Sequence, residues 1–293
     1  AEWNGKFRDD VRKFIRGEDK IVATIASRLS ASPDVYTDPL RNPSRGINFV
    51  TCHDGFTLND LVSYNVKHNE SNREGNRDGA NDNYSWNCGV EGPTSDPFIE
   101  KTRVKLIKNL LVSLFIAQGT PLLLMGDEVR KTQSGNNNAY CHDSEMNWFD
   151  WSLVKANHDI HLFTKKMIQF TKTNPIFTLP TPWILGGNFG TSIIDFHGIQ
   201  PFHADFSDKS RSVSFTLKDF WCNKYYHFIM NSLWDPLDFK LPHYNNATQW
   251  ERLIDTSLES PEDFYEPGSG ILVKDEKYRV ESRTFVMLLA QMK

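Results

Sequence analysis

Apolar positions recur at two different periods along this chain, and the change between them falls near Pro175. Over residues 19–30, Ile21, Val22, Ile25 and Leu29 share one helical face. Leu58, Leu61 and Val62 repeat at helical spacing within residues 57–65. The longest pattern runs from Phe98 to Gln118, where Val104, Ile107, Leu111, Leu114 and Phe115 define a face and Gly119 supplies a stop. A further helix is predicted over 160–172, ended by Asn174-Pro175. Between the helices, residues 47–52 and 120–125 are short apolar runs that read as buried strands, with room for a third strand before Asp9. Strand, loop, helix in repetition is the rhythm of a parallel α/β sheet.

Beyond Pro175 the helical period disappears. Pro180, Pro182, Gly186, Gly187 and Gly190 cluster, and short alternating runs follow at 192–197, 212–217, 225–231, 252–255 and 284–290. The chain therefore divides into an α/β unit over residues 1–174 and an antiparallel β-sandwich over 175–293. In the first unit, two long loops (55–97 and 126–148) each follow the C-terminal end of a predicted parallel strand. That end is where α/β barrels place their active sites.

Composition narrows the function classes. Asp and Glu outnumber Lys and Arg by 37 to 33, a formal charge of −4, which gives no reason to expect a nucleic acid or an acidic membrane as partner. The chain is 39% hydrophobic and 13% aromatic, enough for a sizeable core and against disorder. Its densest apolar stretch, 110–116, is too short to span a bilayer. Cys52, Cys88, Cys141 and Cys222 are scattered without a CxxC pair, and no histidines show HExxH spacing, so neither a disulfide scaffold, a metal site nor a cofactor is expected. No secretory signal is visible at the start. The first residue is Ala, which is expected of a processed chain or a piece of a longer one.

Several residues are candidates for chemistry. His53-Asp54 directly follows the 47–52 run, and a carboxylate at a strand's C-terminal end suits stabilisation of a cationic transition state or bonding to a hydroxylated ligand. The same pair also reads as a helix cap beside a loop histidine. Asp127-Glu128 follows the second run in the same way, although Gly-Asp-Glu is equally a plain turn. Residues 72–85 invite comparison with a calcium loop, but Ser85 stands where the bidentate Glu belongs and Glu74 opens the motif instead of Asp, so an EF-hand is rejected. A polar loop that contacts sugar or folds on itself is left. Trp86, Trp148 and Trp151 lie in or beside these loops and suit either sugar stacking or core packing.

These residues sit in longer stretches that resemble isoamylase-type glycogen and starch debranching enzymes of the α-amylase superfamily. The matching segments are residues 2–12 (EWNGKFRDDVR), 48–58 (NFVTCHDGFTL), 81–89 (NDNYSWNCG), 126–128 (GDE) and 135–141 (GNNNAYC), followed by 196–198, 210–212 and 254–257. The resemblance implies a (β/α)₈ barrel followed by a β-sandwich, hydrolysis of α-1,6 branch linkages with retention, and a branched α-glucan as partner. Family members use an Asp nucleophile, a Glu acid/base and a second Asp. Asp54 matches that last carboxylate and His53 the histidine that bonds the sugar, while Asn137 and Tyr140 are implied as further substrate-binding residues.

The nucleophile and acid/base have no counterpart here. No Arg-x-Asp strand is found, and Glu2 lies in the stretch that resembles the sixth barrel strand. A complete barrel takes ~250 residues and eight strands, so the expectation is the C-terminal portion of a debranching enzyme, inactive alone, from a bacterial cytoplasm or a plastid stroma. The alternative is a catalytically silent glucan-binding or regulatory subunit. Retention of His53-Asp54 favours the enzyme, since a silent relative has no need of that carboxylate.

Overall fold

The structure, a computed structural model, describes residues 1–38, 40–185 and 193–293. The glycine cluster at 186, 187 and 190, and the first residue of the 192–197 run, lie outside the described residues.

The chain opens with strand β1 (Glu2–Asn4), then helices α1 (Gly5–Arg16) and α2 (Val22–Leu29), strand β2 (Gly46–Phe49) and the short helix α3 (Leu58–Leu61). Helix α4 (Pro97–Ile116) leads into β3 (Thr120–Leu122), and α5 (Leu153–Ala156) and α6 (His158–Thr173) follow. The three strands pair in parallel in the order β1-β2-β3. Helix α1 is an addition to the expected elements, and its signals are local. Asn4 accepts a capping hydrogen bond from the Phe7 amide, Phe7, Val11, Phe14 and Ile15 are buried at helical spacing, and Gly17 ends the helix at φ +77°.

The 120–125 run is not the buried strand that its apolarity suggests. Thr120, Pro121 and Met125 are exposed and Leu122–Leu124 half-buried, because β3 is an outer strand of the three-stranded sheet. Helix α4 departs in the opposite direction. Its sequence predicts one apolar face, yet Arg103 and all of residues 106–116 are buried. It packs on α6 on one side and on the final β-strand of the chain on another.

After residue 175 the strands are β4 (Ile184–Leu185), β5 (Ile193–His197), β6 (Ser212–Asp219), β7 (Lys224–Asn231), β8 (Leu237–Lys240), β9 (Glu251–Asp255), β10 (Ile271–Leu272), β11 (Lys277–Val280) and β12 (Thr284–Gln291). Seven of them form one sheet in the order β10-β9-β12-β7-β6-β5-β4, antiparallel except for β4–β5, and β11 and β8 form a separate antiparallel pair. The alternation read from sequence does not separate core from solvent. On β12, Phe285, Met287 and Leu289 join the core shared with the helices, whereas Val286, Leu288 and Ala290 join a second core under β8 and β11. Tyr226, Phe228 and Met230 divide from Tyr225 and Ile229 on β7 in the same way. A sheet covered on both faces needs apolar residues at both parities.

Candidate active site at the parallel strand ends

Parallel strands send all their C-terminal ends to one edge of the sheet, and beyond β2 that edge carries the strongest candidates. Val50, Thr51 and Cys52 stay buried, and the chain then turns outward so that His53 and Asp54 are 70% and 77% exposed. His53 Nε2 lies 3.4 Å from Asp54 Oδ2, and its ring meets Trp3 edge-on at 5.7 Å. Neither side chain caps the following helix. Thr57 does, by accepting from the Asp60 amide. Glu2 sits at the opposite, N-terminal end of β1, where it faces Arg41 at 3.5 Å.

The exposed pair rests on a rigid base. Arg12, buried on α1, donates from Nε to the Val50 carbonyl at 2.8 Å and from Nη1 to the Asn83 carbonyl at 3.0 Å. Burial lowers its pKa to about 10. Asp127 is wholly buried, accepting from the Thr51 hydroxyl and, at 2.8 Å, from the Leu58 amide. Burial raises its pKa to about 7, against the pull of those hydrogen bonds. Gly-Asp-Glu is therefore more than a turn, because its carboxylate ties β3's loop to both flanks of His53-Asp54. Asp60 does the same further out, accepting from the Thr132 hydroxyl and the Gln133 amide, with burial again raising its pKa.

Asn137 and Tyr140 occupy contrasting positions on the loop after β3. Tyr140 is 82% exposed, free to meet a ligand. Asn137 is buried. Its side-chain amide donates to Ala80 O (2.8 Å) and Asn83 Oδ1 (2.9 Å), its Oδ1 accepts from Asn69 Nδ2 (2.8 Å), and its backbone carbonyl accepts from Gly55 N (2.9 Å). These partners make it a brace between loops, with its side chain turned away from solvent. Trp148 and Trp151 are exposed on the same loop, whereas Trp86 packs edge-on against Trp234 at 5.1 Å. Arg12 and Asp60 are not among the candidates read from the sequence, and Asp127 is named there only for its place after the second run. The available signal was a charged residue inside an apolar helical pattern, as with Asp60 between Leu58 and Leu61. Among the described residues no group of three or more His, Cys, Asp or Glu side chains is placed to hold a metal ion, and no helix is long and apolar enough to cross a membrane.

The fold matches part of a type I pullulanase from Bacillus subtilis solved with maltose (TM-score 0.70, 17% identity, 100% of this chain, 35% of that one). It also matches part of the pullulanase from Bacillus acidopullulyticus (TM-score 0.64, 20% identity, 99% of this chain, 30% of that one). The fold is thus shared with part of each of these structures. In sequence, residues 195–291 match the family described as isoamylase 1-3, C-terminal. The chloroplastic isoamylase 3 of Oryza sativa subsp. japonica is 41% identical over 99% of this chain and 36% of its own length. A glycogen operon protein GlgX homolog of Mycobacterium tuberculosis is 55% identical over 60% of this chain and 24% of its own length. Residues 195–291 thus carry an isoamylase C-terminal domain, and the chain as a whole is similar to isoamylases and GlgX homologs, spanning about a third or less of the curated relatives it matches.

Proposed function

We propose that these residues are the C-terminal portion of a retaining glycoside hydrolase that cleaves α-1,6 branch linkages of glycogen or amylopectin. On this reading β1, β2 and β3 are the last strands of a (β/α)₈ barrel, residues 1–174 belong to that barrel, and 175–293 are its β-sandwich companion. The observation that carries it is the exposed His53–Asp54 pair at the C-terminal edge of a parallel strand, set on a buried base that Arg12 and Asp127 hydrogen-bond together. Asp54 clamps sugar hydroxyls and opposes the positive charge that builds on the anomeric carbon, and His53 bonds the same sugar. Nucleophile and acid/base come from strands outside these residues. Tyr140 offers an exposed ring to the glucan, and Asn137 acts from below as a brace. The compartment is a bacterial cytoplasm or a plastid stroma.

In the intact enzyme, Asp54→Asn should lower turnover by roughly 10³-fold or more with an unchanged melting temperature, since it removes charge most needed in the transition state. Activity within about threefold of the parent removes Asp54 from catalysis and favours the silent glucan-binding subunit.

A further inference from the structure

The loop once compared with a calcium site holds a cation of its own. Lys67 is buried at 9% exposure, and its Nζ donates to the carbonyls of Arg77 (3.4 Å), Asp78 (2.7 Å) and Gly79 (3.1 Å). An ammonium has three protons and no acceptor, so all three donors are used. The carbonyls come from consecutive residues ten to twelve positions away, turned inward by the backbone as they would be around a metal ion. Gly79 stands at φ +71°, and a Cβ there would collide with Asn69 and Asn137.

From this cage a continuous path leads to the strand end. Asn69 Nδ2 donates to Asp78 O at 3.0 Å and to Asn137 Oδ1 at 2.8 Å, and the Asn137 amide donates back to Asn69 Oδ1 at 2.9 Å. Asn137 O then accepts from Gly55 N, the residue beside Asp54. We infer that the Lys67 ammonium is the built-in cation of the 67–83 loop and, through Asn69 and Asn137, a positioning residue for Asp54. The inference rests on the proposed role of Asp54 for its catalytic half alone.

Removing the cation takes the shared donor from all three carbonyls: Asp78 O keeps only Asn69 Nδ2, and the Arg77 and Gly79 carbonyls lose the side-chain partner that gathers them. Lys67→Ala opens a space of the size and charge of n-propylammonium. The experiment is hydrogen exchange read by mass spectrometry on the intact enzyme, with kcat and KM on glycogen in parallel. Lys67→Ala and Lys67→Met should both raise exchange in peptides 67–83 and 133–139 by about tenfold or more, with α4 peptides unchanged. Millimolar n-propylammonium should restore the alanine variant and leave the methionine variant loose. The alanine variant's kcat should fall about tenfold with KM within about twofold, and recover with the amine. Parental exchange in Lys67→Met overturns the internal-cation role, since an apolar stem then suffices. Loosened loops with a parental kcat overturn the positioning role. If Asp54→Asn remains active, the proposed reaction fails, while the exchange result still decides whether Lys67 is the loop's cation.

Discussion

Lys108 on α4 and Asp263 in the loop after β9 face each other at 2.7 Å with both side chains almost completely buried. The approach lies outside hydrogen-bond geometry, so the attraction is chiefly Coulombic, and Lys108 Nζ satisfies a second need by donating to the Leu258 carbonyl at 3.1 Å. The pair joins the helix of the α/β unit to the sheet that follows it. Breaking it from one side leaves an uncompensated charge in the interior. Lys108→Met or Asp263→Asn should each destabilise by about 3–5 kcal/mol, whereas Lys108→Met with Asp263→Leu should cost much less. Urea unfolding of the single and double variants decides this, and equal costs for all three contradict it.

Buried titrating groups on the two sides of the molecule oppose each other in mild acid. Burial lifts the Asp127 pKa to about 7, so ionisation favours the unfolded chain and stability falls as pH rises from the ordinary carboxylate range towards 7. Burial lowers His197 to about 4 and His227 well below the usual imidazole range, so protonation favours the unfolded chain and stability falls as pH drops below about 6.5. Asp127→Asn removes one side of this balance. Its stability should therefore decline more steeply than the parent's between pH 6.5 and 4, as followed by denaturant midpoints. A parallel decline in both proteins refutes the assignment.

His53→Ala should raise KM and lower kcat together in the intact enzyme. A hydrogen bond to a sugar hydroxyl exists in both the bound and the transition state, so its loss shows in both constants. A lowered kcat with unchanged KM argues against a binding role.

Asp195 and His197 on β5 are structural. Asp195 pairs with Lys218 at 2.6 Å and accepts from the Tyr244 hydroxyl at 3.0 Å. His197 accepts from the Phe202 amide at 2.8 Å through Nδ1 and meets the Thr216 hydroxyl at 2.9 Å through Nε2. Alanine at both positions should lower the melting temperature by several degrees and leave specific activity of the folded protein near the parent's. Selective loss of activity at an unchanged melting temperature contradicts this.

Residues 1–293 expressed alone should release no new reducing ends from glycogen, because Asp54 is the sole member of the implied carboxylate trio found here. β1 and β3 are the outer strands of the three-stranded sheet, and Trp3 and Met125 are exposed beside them. Such edges bind hydrophobic dyes and self-associate. Linear chains released by the pure polypeptide would mean that a nucleophile within these residues has been overlooked.

The sequence by itself determined the local elements and the exposed chemistry. Helices α2, α4 and α6 were legible because a helix sorts residues by a period contained within the helix, and His53-Asp54 because a strand-end motif lies in consecutive positions. The longer β-strands were legible for the same reason, whereas β8, β10 and β11 are too short to show a period. Only the tertiary structure decided what each face meets. Lys108 interrupts the apolar face of α4 and Asn109 lies across the helix from that face, and both are buried because β12 and the loops around β9 close over them. The roles of Asp127, Asn137 and Lys67 were decided there too. Their hydrogen-bond partners come from Thr51, Gly55 and the carbonyls of 77–79, and pairings of that kind depend on where the backbone passes, which no periodicity of side chains records.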